Sequence, residues 1–331
     1  MSLRCGVIGC GVIAYWTHLR LIPKLAGATL VAAADPDPVA RARAQQLTGL
    51  VIESDAATLL ARADVDAVII SSPSGLHASL AIDAARAGKH IYLEKPIAVE
   101  AESLDRLEAA VHENGVRFAT GFNRRHHPLF VEARQLLDAG FIGPVRAVFS
   151  SFCEPMAAEA MPDWKRRRSS GGGVLLDLGS HHVDLLRWFL HAEVTASEGR
   201  IASLVSEHDD AWLRLRFSSG TEASSYFSFR AGRADFFEFV GETGTLRVDR
   251  HRAALTPRLS RRHGYGVRSG WVAGGRDLWA WRLLRLARPS HDPSYRGALQ
   301  AFVNGESSAT LEDGRRSLEA ILWAEATCAS C

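Results

Sequence analysis

The sequence contains no run of apolar residues that approaches the ~20 needed to cross a membrane. Its first apolar stretch leads at once into a glycine loop and not into a cleavable leader. The net charge of +2 over 331 residues argues against a nucleic-acid-binding protein. We therefore expect a cytoplasmic globular protein without membrane or nucleic-acid partners, long enough for two domains.

Cysteine is scarce. The five cysteines are odd in number, scattered, and lack the paired spacing of a metal site. Cys328 and Cys331 have CxxC spacing, but no second pair accompanies them. We expect reduced thiols and no bound metal.

Lysine is scarcer still, because only Lys24, Lys89, Lys95 and Lys165 occur among 39 basic residues. Arginine supplies nearly all of the positive charge. A lysine in a special setting is therefore a candidate for chemistry that arginine, which stays protonated, cannot perform.

Short apolar strands alternate with helices in the first part of the chain. Strands are predicted at 3–9, 30–34, 67–71, 90–93 and 116–120, and helices at 13–26, 38–48, 77–87 and 100–114. This alternation is typical of an α/β domain with a doubly wound parallel sheet.

After about residue 122 the pattern changes to strands separated by turns. These strands are predicted at 145–152, 194–203, 211–217, 221–229, 236–240 and 245–248, with main helices at 175–190 and 313–327. Apolar residues in 211–217 alternate with Trp212, Arg214 and Arg216, as in a sheet with one wetter face. We assign 1–122 to the first domain and 123–331 to an α+β domain with an open, largely antiparallel sheet.

A glycine loop, GCGVIA, follows the first strand and opens the first helix, as in a dinucleotide-binding Rossmann domain. Gly9 permits the tight turn, and Gly11 lets the backbone approach a pyrophosphate. The helix that begins with Val12 and Ile13 offers free N–H groups to that anion. Ala14 stands at the third glycine position, where alanine is an accepted variant.

The choice between NAD and NADP rests on Asp35, which lies 21 residues past Ala14 at the end of the second strand. A carboxylate there accepts hydrogen bonds from both ribose hydroxyls and repels a 2′-phosphate, so NAD is favoured over NADP. Arg41 and Arg43 on the next helix either soften this preference or belong to a solvated helix face.

The segment Glu94-Lys95-Pro96 directly follows the strand at 90–93. Strands of an open parallel sheet end at the ligand crevice. A lysine there suits a positioned ammonium whose pKa falls on burial. Taken alone, the segment is equally compatible with a surface turn.

A run of three glycines, 171–173, leads into Asp177, His181 and Asp184. Spaced i, i+4 and i+7, these three residues share one face of a helix, whereas His182 points away from it. An aspartate and a histidine one turn apart can hold a substrate hydroxyl while the histidine exchanges its proton. The alternative is a polar stripe at a helix edge, which an acid–histidine–acid face beneath a flexible triple glycine makes less plausible.

Taken in order, these segments resemble the glucose–fructose oxidoreductase/inositol dehydrogenase (Gfo/Idh/MocA) family over essentially the whole chain. The resemblance implies a Rossmann domain, and a second domain whose open sheet often serves oligomerisation. It also implies hydride transfer between NAD(P) and a carbinol carbon of a sugar, a sugar derivative such as a nucleotide sugar, or a cyclitol. The matching segments are the GxGxxA loop, Ser71-Ser72-Pro73 with His77, Gly88-Lys89-His90 leading into Glu94-Lys95-Pro96, Gly121-Phe122-Asn123-Arg124-Arg125, GGGxxxDxGxHxxD, and Gly241-Glu242-Thr243-Gly244-Thr245.

The resemblance also implies roles for individual residues. His181 would act as general acid/base on the reacting oxygen, Lys95 would polarise that oxygen, and Asp177 would orient a substrate hydroxyl. Polarisation by Lys95 makes a metal unnecessary. The cofactor-site positions that match are Ser72 and Pro73, which line the nicotinamide, together with His77, Glu94 and Lys95 itself.

The substrate side is less determined. Asn123 and Arg124 (with His126 nearby) match positions where the family contacts substrate, and Trp164 and Lys165 lie in the loop that enters the glycine run. Lys165 begins four consecutive cations, KRRR. These cations would recognise a carboxylate or the diphosphate of a nucleotide sugar, or they belong to a solvated mobile loop.

Two rival functions share this fold: an NAD-dependent glycosidase, and a non-catalytic NAD-binding regulator, which would be expected to lose the lysine or the histidine. As partners we expect a small polyhydroxy substrate and a second copy of the chain, giving a dimer or tetramer through the C-terminal sheet. Residues 256–292, rich in arginine and containing Trp271, Trp279 and Trp281, suit a packed interface better than a nucleic-acid surface, because the net charge is near neutral.

Overall fold

The computed structural model describes residues 2–259, 268–269, 279, 282–283, 292–306 and 309–328. The chain divides into two compact units. Unit 1 comprises residues 1–122, 169–171 and 295–318, and unit 2 comprises residues 123–168, 172–294 and 319–331. The sequence pattern placed all of 123–331 in one domain, whereas in the structure residues 295–318 belong to unit 1.

Unit 1 is built on a six-stranded parallel sheet with the order β3-β2-β1-β4-β5-β6. This order is that of the dinucleotide-binding fold. Every residue of the fourth strand is buried, because helices cover both faces of a parallel sheet. The strands are β1 Leu3–Ile8, β2 Ala28–Ala34, β3 Ile52–Glu53, β4 Ala67–Ile70, β5 His90–Leu93 and β6 Phe118–Thr120.

The helix after the glycine loop is irregular: a π-helical turn, Ala14–His18, leads into α1, Leu19–Leu21, and then into a 3₁₀ turn, Ile22–Lys24, that contains Pro23. Residues 295–318 belong with this unit because Leu299 and Phe302 join its buried core. The helices of unit 1 are α1 Leu19–Leu21, α2 Pro38–Thr48, α3 Ala56–Leu60, α4 His77–Arg86 and α5 Ala101–Glu113.

Unit 2 is built on an eight-stranded sheet with the order β14-β13-β12-β11-β7-β10-β9-β8. Its strand pairs are antiparallel except β7 with β10, which is parallel. The strands are β7 Val145–Cys153, β8 Val194–Ala202, β9 Asp210–Phe217, β10 Glu222–Ser228, β11 Ala234–Gly241, β12 Gly244–Asp249, β13 Ala254–Leu259 and β14 Arg268–Ser269.

Among the described residues, one face of this sheet is packed and the other, called the open face below, is exposed along β9. Leu213 and Leu215 on β9 are buried, whereas Trp212 and Arg214 beside them are exposed, as the alternating pattern predicts. Further α-helices in the described part of the chain are α6 Pro128–Asp138, α7 Asp163–Arg166, α8 Ser180–Leu190, α9 Ser294–Val303 and α10 Leu311–Ala326.

The fold class predicted from the sequence is confirmed: a Rossmann-type parallel sheet and a second, mostly antiparallel sheet. Within the described ranges, no helix is both long and apolar enough to cross a membrane. Most of the segment 256–292, including Trp271 and Trp281, lies outside the described residues, so its proposed packing role stays a prediction.

Candidate active site

The glycine loop has the geometry of a pyrophosphate cradle. Gly9 has a φ of +89°, and a Cβ there would lie 2.8 Å from the backbone nitrogen of Ser72, so only glycine fits. A Cβ at Gly11 would meet nothing within 4 Å, which leaves the backbone open to a ligand. Val12 and Ile13 are also exposed, at 67% and 43%. The loop therefore fits the dinucleotide that its sequence predicts.

Two residues of the glycine loop, Ala14 and Cys10, have completely buried side chains. Ala14 is fully buried where the helix meets the sheet, and a larger residue would be difficult to place there. Cys10 is equally buried, and desolvation raises the pKa of its thiol to about 12. Cys10 is therefore an inert packing residue and not a reactive thiol.

Asp35 lies at the end of β2, beside the glycine loop. Its Oδ2 accepts a hydrogen bond from the backbone N–H of Cys10 at 2.6 Å, and its Oδ1 accepts one from Asp37 N–H at 2.8 Å. The carboxylate is thus held in a fixed orientation next to the loop. Arg41 donates to the carbonyl oxygens of Asp35 and Pro36, at 2.9 and 2.8 Å.

The second arginine of that helix also has a partner in the protein. The guanidinium carbon of Arg43 lies 4.7 Å from the centroid of the Tyr15 ring. Both arginines therefore already contact other groups of unit 1. The charged group beside the glycine loop is the carboxylate of Asp35.

Glu94 is not part of a surface turn. Its side chain is 10% exposed, and its Oε1 lies 3.0 Å from Nε2 of His18, which is completely buried. Gly121 packs against it, since a Cβ there would lie 2.8 Å from Oε2 of Glu94. Glu94 therefore joins the end of β5 to the glycine-loop helix. Sequence reasoning missed His18, although a histidine in the helix that follows the glycine loop was a visible signal.

Lys95 follows directly and is half-buried, and its peptide bond to Pro96 is cis. The buried ring of His77 holds this segment. Its Nδ1 lies 2.7 Å from the carbonyl oxygen of Pro96, and its Nε2 lies 2.9 Å from that of Ser72. Burial lowers the pKa of His77. His77 thus ties together two segments assigned to the cofactor site, through Ser72 and through Pro96.

In unit 2, Asp177 lies on a π-helical turn, Leu175–Gly179, that continues into α8 with His181. Oδ2 of Asp177 lies 2.5 Å from Nζ of Lys165, which reaches it from α7. The structure therefore brings together two residues that the sequence placed on the substrate side. Lys95 belongs to unit 1, so the three predicted catalytic residues come from both units.

The glycine run is packed, and the expectation of a flexible segment is wrong. Its three residues are buried. A Cβ at Gly172 would overlap the carbonyl of Lys165, and Gly173 has a φ of +96° with the Cβ of His208 only 3.0 Å from its own Cβ position. Glycine is needed here for close approach of backbone segments and not for motion.

Asp184 and His182 are core residues. Asp184 is 1% exposed and accepts two hydrogen bonds from Arg125, at 3.0 and 2.5 Å, so it forms a buried ion pair. The ring of His182 stacks on Phe237 with centroids 4.1 Å apart, and burial lowers its pKa to about 4. Asp184 therefore does not extend the chemical face with Asp177 and His181, as the helical spacing had suggested.

Asn123 and Arg124 are also buried. The amide Nδ2 of Asn123 donates to Oγ of Ser294 at 2.7 Å. Nη1 of Arg124 donates to Asp235 at 2.9 Å. Trp164 is half-buried. Contact of these residues with a substrate stays a prediction.

In the described part of the chain, no group of three or more His, Cys, Asp or Glu residues could hold a metal ion.

Both units match family models. Residues 3–122 match the model described as "Oxidoreductase family, NAD-binding Rossmann fold", and residues 130–247 match the model described as "GFO/IDH/MocA C-terminal domain". Together they cover more than half of the chain.

Relatives and solved structures agree with these matches. The chain is 32% identical to inositol 2-dehydrogenase of Rhizobium meliloti (strain 1021), over 76% of this chain and 77% of that protein. It is 33% identical to dTDP-3,4-didehydro-2,6-dideoxy-alpha-D-glucose 3-reductase of Streptomyces violaceoruber, over 75% and 73%. The crystal structure of a putative myo-inositol dehydrogenase from Sinorhizobium meliloti 1021 matches with a TM-score of 0.79 and 26% identity, over 98% and 97%.

Proposed function

The chain belongs to the GFO/IDH/MocA family of NAD-binding oxidoreductases, and from this premise we propose that it is an NAD-dependent dehydrogenase. It transfers a hydride between the cofactor and a hydroxyl-bearing carbon of a sugar, a sugar derivative or a cyclitol, or reduces the matching ketone in reverse. The observation that carries the proposal is the glycine loop, with an open backbone at Gly11 and the Asp35 carboxylate fixed beside it.

The cofactor is held by unit 1 in this proposal. The loop backbone at Gly9, Gly11 and Ile13 receives the pyrophosphate, and Asp35 receives the ribose hydroxyls. NAD is preferred to NADP because the carboxylate of Asp35 would repel a 2′-phosphate. When bound, the nicotinamide supplies or accepts the hydride.

Three side chains carry the proton chemistry in the proposal. His181 takes the proton from the reacting hydroxyl, and Lys95 polarises the oxygen and stabilises negative charge on it. Asp177 accepts a hydrogen bond from a substrate hydroxyl and so orients the ring. His77 and His18 are positioning residues, because their contacts hold Ser72, Pro96 and Glu94 in place.

A screen for NAD reduction tests this function. The purified full chain would be incubated with NAD and polyols, aldoses, uronates and nucleotide sugars, and NADH would be measured by its absorbance. The proposal expects net NADH with at least one of them. Release of an aglycone without net NADH would instead indicate the glycosidase, and binding of NADH without any turnover would indicate a regulator.

The open face of the unit 2 sheet is the proposed surface for a homo-oligomer. Phe149 and Trp212 are 52% and 53% exposed there. Arg214 pairs with Glu222 at 2.6 Å on the same face, so apolar groups and a neutralised ion pair lie together, a composition that suits a contact between two copies. Light scattering of the full chain would show a dimer or tetramer, and a monomer would contradict this assignment.

That the protein is located in the cytoplasm stays a prediction.

A further inference from the structure

The basic residues of the two segments assigned to substrate have partners within unit 2. In the first segment, Arg124 pairs with Asp235 at 2.9 Å and Arg125 pairs with Asp184 at 2.5 Å. Both guanidinium side chains are only 8% exposed. A substrate anion would have to displace a buried carboxylate to reach them, and the displaced carboxylate would remain as an uncompensated buried charge.

The four cations at 165–168 are also largely occupied. Arg166 donates to the carbonyl oxygens of Met161, at 3.2 Å, and Ala158. Arg168 makes two hydrogen bonds to the carboxylate of Glu325, both 2.6 Å long. These contacts fasten the loop to its own backbone and to α10. Arg166 and Arg168 therefore hold the loop in place, and the four basic residues do not together form an anion site.

Lys165 differs from its neighbours because its partner is the predicted catalytic aspartate. The ammonium lies 2.5 Å from Oδ2 of Asp177 and 5.1 Å from the ring centroid of Phe229. The side chains of the pair are 15% and 19% exposed, so each retains a surface that a ligand can reach. The pair has no net charge, and it presents hydrogen-bond donors and acceptors side by side.

We propose that the substrate is uncharged where it meets the described residues of unit 2, and that Lys165 and Asp177 together hold two neighbouring hydroxyls of it. This inference rests on the proposed dehydrogenase function and narrows its substrate class to neutral polyhydroxy rings. A hydroxyl oxygen accepts from the ammonium of Lys165, and the adjacent hydroxyl donates to the carboxylate of Asp177. A carboxylate or diphosphate at the same place would be repelled by Asp177 and would compete with it for Lys165.

Matched substrates test the inference. The full chain with NAD would be assayed with D-glucose against D-glucuronate, and with myo-inositol against myo-inositol 1-phosphate. We expect kcat/KM at least about tenfold higher for a neutral member than for its anionic counterpart, since about 1.4 kcal/mol of discrimination gives that ratio. A preference for the anionic members would overturn the inference and leave the dehydrogenase function intact. Absence of NADH with every compound of the full screen would overturn both.

Variants of the loop test the role of Lys165 itself. Lys165→Met should raise KM for the neutral substrate about tenfold or more, with a smaller change in kcat, and Lys165→Arg should recover part of the loss. The matched control is Arg167→Met, which removes the same charge from an exposed neighbour and should leave both constants unchanged. NADH binding, measured for each variant, establishes that unit 1 is intact.

Asp177→Asn supplies an independent measurement that does not depend on turnover. Loss of the carboxylate releases the ammonium of Lys165 from its ion pair, so D-glucuronate should bind this variant more tightly than the unaltered protein by calorimetry. Unchanged KM in Lys165→Met, or unchanged glucuronate binding in Asp177→Asn, would show that the ion pair does not contact the substrate and would overturn the inference.

Discussion

Nε2 of His18, on the turn after the glycine loop, lies 3.0 Å from Oε1 of Glu94, at the end of the strand that precedes Lys95. His18 is completely buried. The contact therefore fixes the cofactor loop against the segment that carries the predicted catalytic lysine.

Loss of this contact should destabilise unit 1. His18→Ala would leave the buried carboxylate of Glu94 without its partner, and we expect the free energy of unfolding to fall by about 2 kcal/mol. His18→Gln retains a side-chain donor and should lose less. Urea denaturation of each variant measures the difference. Equal stability of His18→Ala and the unaltered protein would show that the contact contributes nothing to the fold.

Cofactor preference should depend on Asp35. Asp35→Ala removes the charge that repels a 2′-phosphate, so the ratio of the NADPH to the NADH dissociation constant should fall about tenfold. Fluorescence titration with the two cofactors measures this ratio. Asp37→Ala is the control, because Asp37 is an exposed acid two residues away that caps α2 by accepting from Val39 N–H. If the two variants gave the same ratio, Asp35 would not lie at the ribose.

Stability should fall in mild acid because of buried histidines in unit 2. Burial lowers the pKa of His182 from its ordinary value of 6.5 to about 4. The unfolded chain therefore binds a proton at this ring below pH 6.5, whereas the folded protein does so only near pH 4. The folded state loses stability as the pH falls through this window, by roughly 3 kcal/mol for one such group.

Urea denaturation between pH 7 and pH 4 measures this loss. His182→Phe keeps an aromatic ring against Phe152 and Phe237 but cannot titrate. It should show a shallower dependence of unfolding free energy on pH. Part of the slope should remain, since burial also lowers the pKa of His127 to about 4. A slope identical to that of the unaltered protein would mean that His182 does not stay neutral in the fold.

The sequence predicted those parts of the fold that depend on local pattern. Buried strands such as β4 and helices such as α4 follow from continuous apolar runs and from glycine at helix ends. The strand Ile52–Glu53 was missed because two residues carry no periodicity. The helix α9 was missed, and its place in unit 1 follows from contacts with residues more than 200 positions earlier, such as Gln300 with Ala26.

The sequence predicted which residues form the candidate site, but it predicted less well which side chains they contact. Arg125 pairs with Asp184 across 59 positions, and no spacing rule shows that Asp184 is a core residue. The triple glycine resembled a flexible loop because glycine permits motion, yet it serves close packing against Lys165. Lys165 itself was predicted as a substrate residue, but only the structure shows its contact with Asp177.

The most direct test of the account is the turnover of Lys95→Ala and His181→Ala in the presence of NAD and a substrate found in the screen. Both variants should still bind NADH, because the glycine loop is unchanged in them, while their turnover should be abolished. Full activity in either variant would contradict the account, because hydride transfer would then proceed without its proposed acid/base or its polarising ammonium.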